Sequence, residues 1–226
     1  MECRIFREAP YEELLRLQTE EFERRVECRK EGIQLPEDLI LFVEHQPVYT
    51  LGKHGKKENL IVDDSLLKGD NISLYHIGRG GDITYHGPGQ LTVYPIIDMQ
   101  RYHLGVKDYV ALLEEAVLQT IAEYGIKGER VEGATGVWIK DGKGERKISA
   151  IGVRCNRHVT MHGLSLNISS DISGFSRINP CGFTDKGVTS ISLETGHETD
   201  FVEVLEKLKG NLTRLLQLRI ASRGNS

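Results

Sequence analysis

The spacing of apolar residues along these 226 residues changes period several times, and each change marks an element. Between positions 10 and 30, Leu14, Gln18, Phe22 and Val26 recur every fourth residue, behind an acidic first turn. That spacing predicts an amphipathic helix. From Asp38 the period drops to two, with Leu39, Leu41 and Val43 alternating against Ile40 and Phe42. This is a strand, and "ISLYHI" and "LTVYPIID" predict two more. Residues 107–125 return to helical spacing, with Val110, Leu113, Val117, Ile121 and Tyr124 on one stripe ending at Gly125. The strand-like segments "GVWIK", "KISAIGVR" and "HVTMHGLSLNIS" follow. Residues 200–218 then place Phe201, Leu205, Leu208, Leu212 and Leu215 on a last helix, with Asp200 and Glu203 spaced as a capping box and Gly210 inside. Helix, strands, helix, strands, helix predicts a mixed α/β (α+β) fold with helices packed on a mostly antiparallel sheet. One catalytic domain over 1–226 is expected.

Composition narrows the function classes. A net charge of −4 argues against a nucleic-acid partner. No run approaches the roughly 20 apolar residues of a membrane span. The four cysteines (Cys3, Cys28, Cys155 and Cys181) form no C-x-x-C pair, so a zinc ribbon is not expected. His158 and His162 are four apart but lie in a β-branched, strand-like run, so no metal site is expected either. A cytoplasmic protein with reduced thiols follows.

Three segments carry candidate chemistry. In "RGGDITYHGPGQLTVYPIID", Gly80-Gly81 and Gly87-Pro88-Gly89 bracket a short polar strand ending at His86. Glycines allow close approach to a ligand, although two tight turns would need them equally. The spacing is neither G-x-G-x-x-G nor G-K-[ST], so no nucleotide loop is indicated. In "RINPCGFTDKGVTS", Cys181 sits between proline and glycine, unlike Cys3, Cys28 and Cys155, which read as buried or inert thiols. In "ERKISAIGV", Lys147 leads into an apolar strand. It either snorkels outward or faces inward as a cation beside a thiolate.

These segments, with "EHQPVYTLG", "GVWI" and "HGLSLNI", together resemble the octanoyltransferases of lipoate biosynthesis, the lipoate-protein ligase B family. The resemblance is strongest over residues 41–193. It implies a fold similar to the catalytic domains of biotin and lipoate ligases. It implies transfer of an octanoyl group from octanoyl-acyl carrier protein to a lysine of lipoyl domains, in 2-oxoacid dehydrogenases and the glycine cleavage H protein. Cofactors would be none. By motif match, Cys181 would carry the acyl thioester and Lys147 would activate it. Arg79, Gly80, Gly81, Asp82, Ile83, Thr84, Tyr85 and His86 would line the substrate site with Ala150, Ile151, Gly152, Gly163, Leu164 and Ser165. Ile83, Tyr85, Ile151 and Leu164 are the apolar positions expected to form an acyl tunnel. Backbone N–H groups beside Cys181 or in the Gly80-Gly81 turn are the expected oxyanion donors. An ATP-dependent ligase of the same fold is the alternative. Lys53, Lys56 and Lys57, or Arg154 with Arg157, would be basic docking groups.

Overall fold

The computed structural model describes residues 1–62, 67, 69–70, 72–179 and 187–221. Its strands are β1 (Glu2–Ala9), β2 (Leu39–His45), β3 (Val48–Leu51), β4 (Ser73–His76), β5 (Ile83–His86) and β6 (Gln90–Ile96). They continue with β7 (Glu129–Val131), β8 (Ala134–Asp141), β9 (Gly144–Asn156), β10 (Val159–Asn167) and β11 (Gly187–Val188). The helices are α1 (Tyr11–Glu31), α2 (Val106–Ala122), α3 (Ile191–Thr195) and α4 (Phe201–Ala221). The main sheet runs β1-β2-β6-β10-β9-β8-β7, with β11 beside β9. Only β1 with β2 and β11 with β9 are parallel in it. A second sheet, β4-β3-β5, stands apart. The chain therefore forms the mixed, mostly antiparallel sheet packed with helices that its periodicity predicts. No helix among the described residues is long and apolar enough to cross a membrane.

Alternation along β2 divides the core. Leu39, Leu41 and Val43 pack with Leu14, Phe22 and Val26 of α1. Ile40 and Phe42 face the opposite way, into a larger cluster with Leu113, Val117 and Ile121 of α2 and Leu205, Leu208 and Leu212 of α4. One sheet thus separates two apolar layers, which is why β2 is buried at every residue. In α4, Glu203 N–H donates to Asp200 Oδ1 at 2.8 Å, but the Glu203 carboxylate goes to Lys207 and Tyr124, so the capping box is half made. The sequence pattern missed β1, β3 and β7. β1 is an edge strand rich in charge, with Cys3 and Ile5 exposed, so it shows no alternation against a core.

The contact between β6 and β10 is unusually close. Pairing runs only from Gln90–Asn167 to Val93–Leu164 and stops before Pro95, which has no N–H to give. There the Thr160 hydroxyl bridges instead, donating to Pro95 O at 2.7 Å and accepting from Ile97 N at 3.1 Å. A Cβ on Gly163 would stand 2.1 Å from Val93 O and 2.8 Å from Pro95 Cδ. Gly163→Ala must therefore push two central strands apart, at a cost of about 1–3 kcal/mol or more. A clear drop in the urea midpoint is expected. An unchanged midpoint would mean that the strands yield freely at this point.

Candidate active site

A central strand is normally covered on both faces, and β10 is buried at all nine residues. Its neighbour β9 is different. Ala150 to Cys155 are each only partly buried, since β10 pairs with this stretch on one edge while β8 reaches only as far as Ser149. Ala150 to Val153 of that stretch form the floor of a cavity of about 440 Å³, within the roughly 300–1,000 Å³ of small-ligand pockets.

The cavity collects most of the residues expected at the site. Arg79, Gly80, Gly81, Asp82, Ile83, Thr84 and His86 line it from the second sheet and the loop before it. Ala150, Ile151, Gly152, Gly163, Leu164 and Ser165 line it from β9 and β10, and Lys147 stands in its wall beside Ala134, Thr135 and Val188. Tyr85 is the exception, and the expectation of a tunnel-lining Tyr85 is corrected here. Strand alternation turns its ring away from Thr84 and His86 into the small sheet's own core, 5.3 Å from Tyr49 and 5.5 Å from Phe175 between ring centres. Cys181 lies outside the described residues. Cys3, Cys28 and Cys155 do not line the cavity, and burial pushes the Cys3 and Cys155 thiols up.

Several rim residues are committed to structure. Arg79 is buried and donates to Thr50 O at 2.8 Å and Thr50 Oγ1 at 3.0 Å, which ties the loop to β3. Asp82 accepts from its neighbour's N–H, Ile83 N, and from Asn59 Nδ2. Of the Gly80-Gly81 turn, one of the two places expected to supply oxyanion donors, the Gly80 N–H donates to Val153 O at 3.0 Å and is spent on β9. The second glycine group is a turn: Gly89 N–H donates to Glu44 Oε1 at 2.8 Å, and Gly87 and Gly89 stay outside the cavity.

Lys147 faces the cavity and does not snorkel away. Its Nζ donates to Thr135 O at 3.2 Å and stands 4.5 Å from the Trp138 ring centre. A carbonyl and an aromatic face both favour a cation. Gly187 and Val188 of β11 pair with Arg146 and Lys147, closing that end of the wall.

The opposite end is polar. His86 Nδ1 lies 2.7 Å from Gln90 Oε1, an acceptor only, so Nδ1 carries the proton and Nε2 is the bare nitrogen. Gln90 Nε2 donates onward to Asn167 Oδ1 at 2.9 Å, and Asn167 Nδ2 to Thr189 O at 2.9 Å. His45 Nε2 accepts from Tyr94 OH at 2.8 Å, while Nδ1 donates to Ala9 O. Burial pushes His86 and His162 down from 6.5 to about 3, and His45 to about 4. His162 has φ 61°, rare for a side chain this bulky, and its buried Nδ1 has no partner among the described residues. Sequence reasoning passed over Tyr11, Thr92, Tyr94, His162 and Asn167, all lining residues. Among the described residues no group of His, Cys, Asp and Glu side chains could hold a metal ion.

Residues 11–213 match the lipoyl protein ligase A/B catalytic domain. The chain belongs to that family. An octanoyltransferase of Bacteroides thetaiotaomicron is 51% identical over 92% of this chain and 91% of its own length. Another, from Porphyromonas gingivalis, is 51% identical over 90% of this chain, which spans only 42% of that relative. The bipartite lipoate protein ligase of Thermoplasma acidophilum, from an archaeal lipoylation system, shares the fold. Its TM-score is 0.69 at 17% identity, over 96% of this chain and 84% of that one. For this member of the ligase A/B family the buried imidazoles set an acid limit. Each ring is neutral when folded but binds a proton readily once unfolded. Their stabilisation is therefore complete above pH 6.5 and is lost as pH falls toward 3–4. Each ring contributes a slope of up to about 1.4 kcal/mol per pH unit. Urea midpoints at pH 7 and pH 5 should differ less in His86→Gln than in the wild type. Equal pH dependence would show that His86 takes up a proton as readily in the folded chain as in the unfolded one.

Proposed function

We propose that this chain transfers an octanoyl group from octanoyl-acyl carrier protein to a lysine of lipoyl domains, through a thioester on Cys181. The observation that carries the reading is the single cavity joining the uncovered apolar stretch of β9 to Lys147. Kinship with proteins named octanoyltransferase at about half identity supports the acyl group, and the ligase A/B family supports its use in lipoylation. Six or seven buried methylenes would contribute roughly 5 kcal/mol at about 0.8 each. Ile151 and Leu164 are the apolar wall available to them, while Ile83 shares the small sheet's core with Tyr85.

The chemistry balances with one lysine. The Cys181 thiolate attacks the carrier thioester, a new C–S bond forms, and the carrier sulfur leaves and takes a proton from the Lys147 ammonium. The acceptor amine then attacks the enzyme thioester. Neutral Lys147 takes the amine's proton, and the Cys181 thiolate is expelled as the amide forms. Thioester-to-thioester exchange is nearly balanced, and amide formation runs downhill, so ATP and metal have no part in this route. The acceptors are lipoyl domains of 2-oxoacid dehydrogenases and the glycine cleavage H protein. The setting is the cytoplasm, where the thiol stays reduced.

Incubation with octanoyl-acyl carrier protein alone should add one octanoyl group to Cys181, removable by hydroxylamine and transferable to added lipoyl domain. Cys181→Ser should lower transfer about 100-fold or more. Lys147→Arg keeps the charge but cannot act as a base, so acyl-enzyme should form slowly and fail to discharge. An adduct on another cysteine, or activity that needs ATP and free octanoate, would defeat the reading and favour the ligase alternative.

Docking of the acidic carrier is proposed at Lys53, Lys56 and Lys57. These are exposed, and their loop is fastened to the cavity rim by Lys53 N–H to Arg79 O at 3.0 Å and His54 N–H to Gly81 O at 3.3 Å. Lys56→Glu with Lys57→Glu should raise the carrier KM severalfold at low salt, and the gap should close as salt is added. An unchanged KM at low salt would move the dock elsewhere, Arg154 and Arg157 being the next groups to reverse.

A further inference from the structure

The peptide unit joining Thr135 to Gly136 is held at both ends. Its carbonyl oxygen accepts from Lys147 Nζ at 3.2 Å, and its N–H donates to Glu114 Oε1 at 3.0 Å. Glu114 projects from α2 and is 7% exposed. Its other oxygen accepts from Arg130 Nε at 3.1 Å. A β-bulge between Val137 and Trp138 and a φ of 120° at Gly136 give the peptide this orientation. A side chain at 136 would also meet Ser149 O at 2.4 Å, so only glycine lets the strand turn here.

We propose that Glu114 is a positioning residue for Lys147, acting through the Thr135–Gly136 peptide. The inference rests on the reading that Lys147 handles the proton during transfer. An N–H group needs only an acceptor, and a glutamine would supply one without the cost of burying a carboxylate. A carboxylate does something more. Negative charge at the N–H end of a peptide strengthens the acceptor at its C=O end, because hydrogen bonds in a chain polarise one another. Carboxylate, peptide and ammonium then form one charge-assisted line from α2 to the cavity wall. Arg130 moderates that line by sharing the Glu114 charge.

Other charged groups nearby, among the described residues, are committed elsewhere. Arg130 also binds Glu115, and Arg146 is held by Asp141 and Glu194. Glu145 pairs with Lys140, while Arg79 and Asp82 across the cavity bind Thr50 and Asn59.

The test is single-turnover acylation by octanoyl-acyl carrier protein, followed by intact mass across pH, in Glu114→Gln and Arg130→Met. Acylation needs the Lys147 ammonium to protonate the departing carrier sulfur, so it falls on the alkaline side. Glu114→Gln should slow acylation about fivefold while the carrier concentration at half-maximal rate changes less than about twofold. Its alkaline limb should move to lower pH by about half a unit, because the cation has lost a distant negative partner. Arg130→Met should move the limb the other way, since Glu114 then keeps its whole charge. Arg130 is 43% exposed, so this variant remains informative should Glu114→Gln fail to fold. A merely structural Glu114 would not shift the limbs in opposite directions. Limbs unmoved in both variants, with Lys147→Ala inactive, would overturn this proposal and leave the role of Lys147 standing. A wild-type profile in Lys147→Ala would overturn both.

Discussion

The site depends on one constraint: beyond Ser149, where pairing with β8 ends, β9 is held by β10 on one edge and by the Gly80 N–H on the other, and the stretch between them is left partly bare. An unsupported strand could not hold an open face, because a backbone without partners would cost more than the cavity allows. β10 satisfies that backbone on one edge, while β8 and β11 pair with β9 before it, up to Ser149 and Lys147. The second sheet, carrying Arg79 to His86, stands over the gap as a wall and does not fill it. Gly80 N–H bonded to Val153 O sets how far this wall stands from the floor. The glycine-rich run thus works by approach: a residue without a side chain lets one sheet's loop touch the other sheet's backbone.

The two ends of the cavity solve opposite electrostatic problems. His45, His86 and His162 are buried without an acidic partner among the described residues, so they pay least by remaining neutral. The hydrogen bonds of His45 and His86 then fix their tautomers, with the bare Nε2 of His86 at the cavity. Lys147 instead meets a carbonyl oxygen and an indole face, two groups that favour positive charge. A neutral polar end and a cationic end in one cavity give an acyl thioester a defined direction on the proposed route. The reacting carbonyl belongs at the lysine, where proton transfer is available, and the alkyl chain follows the β9 floor.

Much of this was legible in the sequence, for reasons that also mark its limits. The alternation of Leu39, Leu41 and Val43 against Ile40 and Phe42 anticipates two apolar layers because strand geometry obliges it. The motif from Arg79 to His86 came from family resemblance, and spacing alone would have left it as two turns. The pattern could not separate lining from core: Tyr94 reads as an ordinary strand residue, and Tyr85 as a tunnel residue, until the strands are packed. His162 carries no local sign of a left-handed backbone, since that conformation is imposed where β10 passes Pro95 and Gly163. β1 was missed because an edge strand next to a helix can be charged along most of its length.

The 17% identity shared with the Thermoplasma ligase at a TM-score of 0.69 shows what this fold requires of its sequence. Layer alternation and strand order can be met by many side chains, so the architecture tolerates nearly complete substitution. The turn of the backbone at Gly136, beside the register shift at Val137–Trp138, is a different kind of feature. It needs a residue without Cβ, an acceptor on α2 at the right height, and a lysine on the adjoining strand, all at once. Such a coupled requirement is not a packing demand, because the sheet would be more regular without it. A strand that departs from regular pairing and draws on a buried carboxylate to do so carries a cost that packing does not offset. The physical return is the orientation of one carbonyl toward Lys147, at the wall of the only stretch of the central strands left uncovered among the described residues.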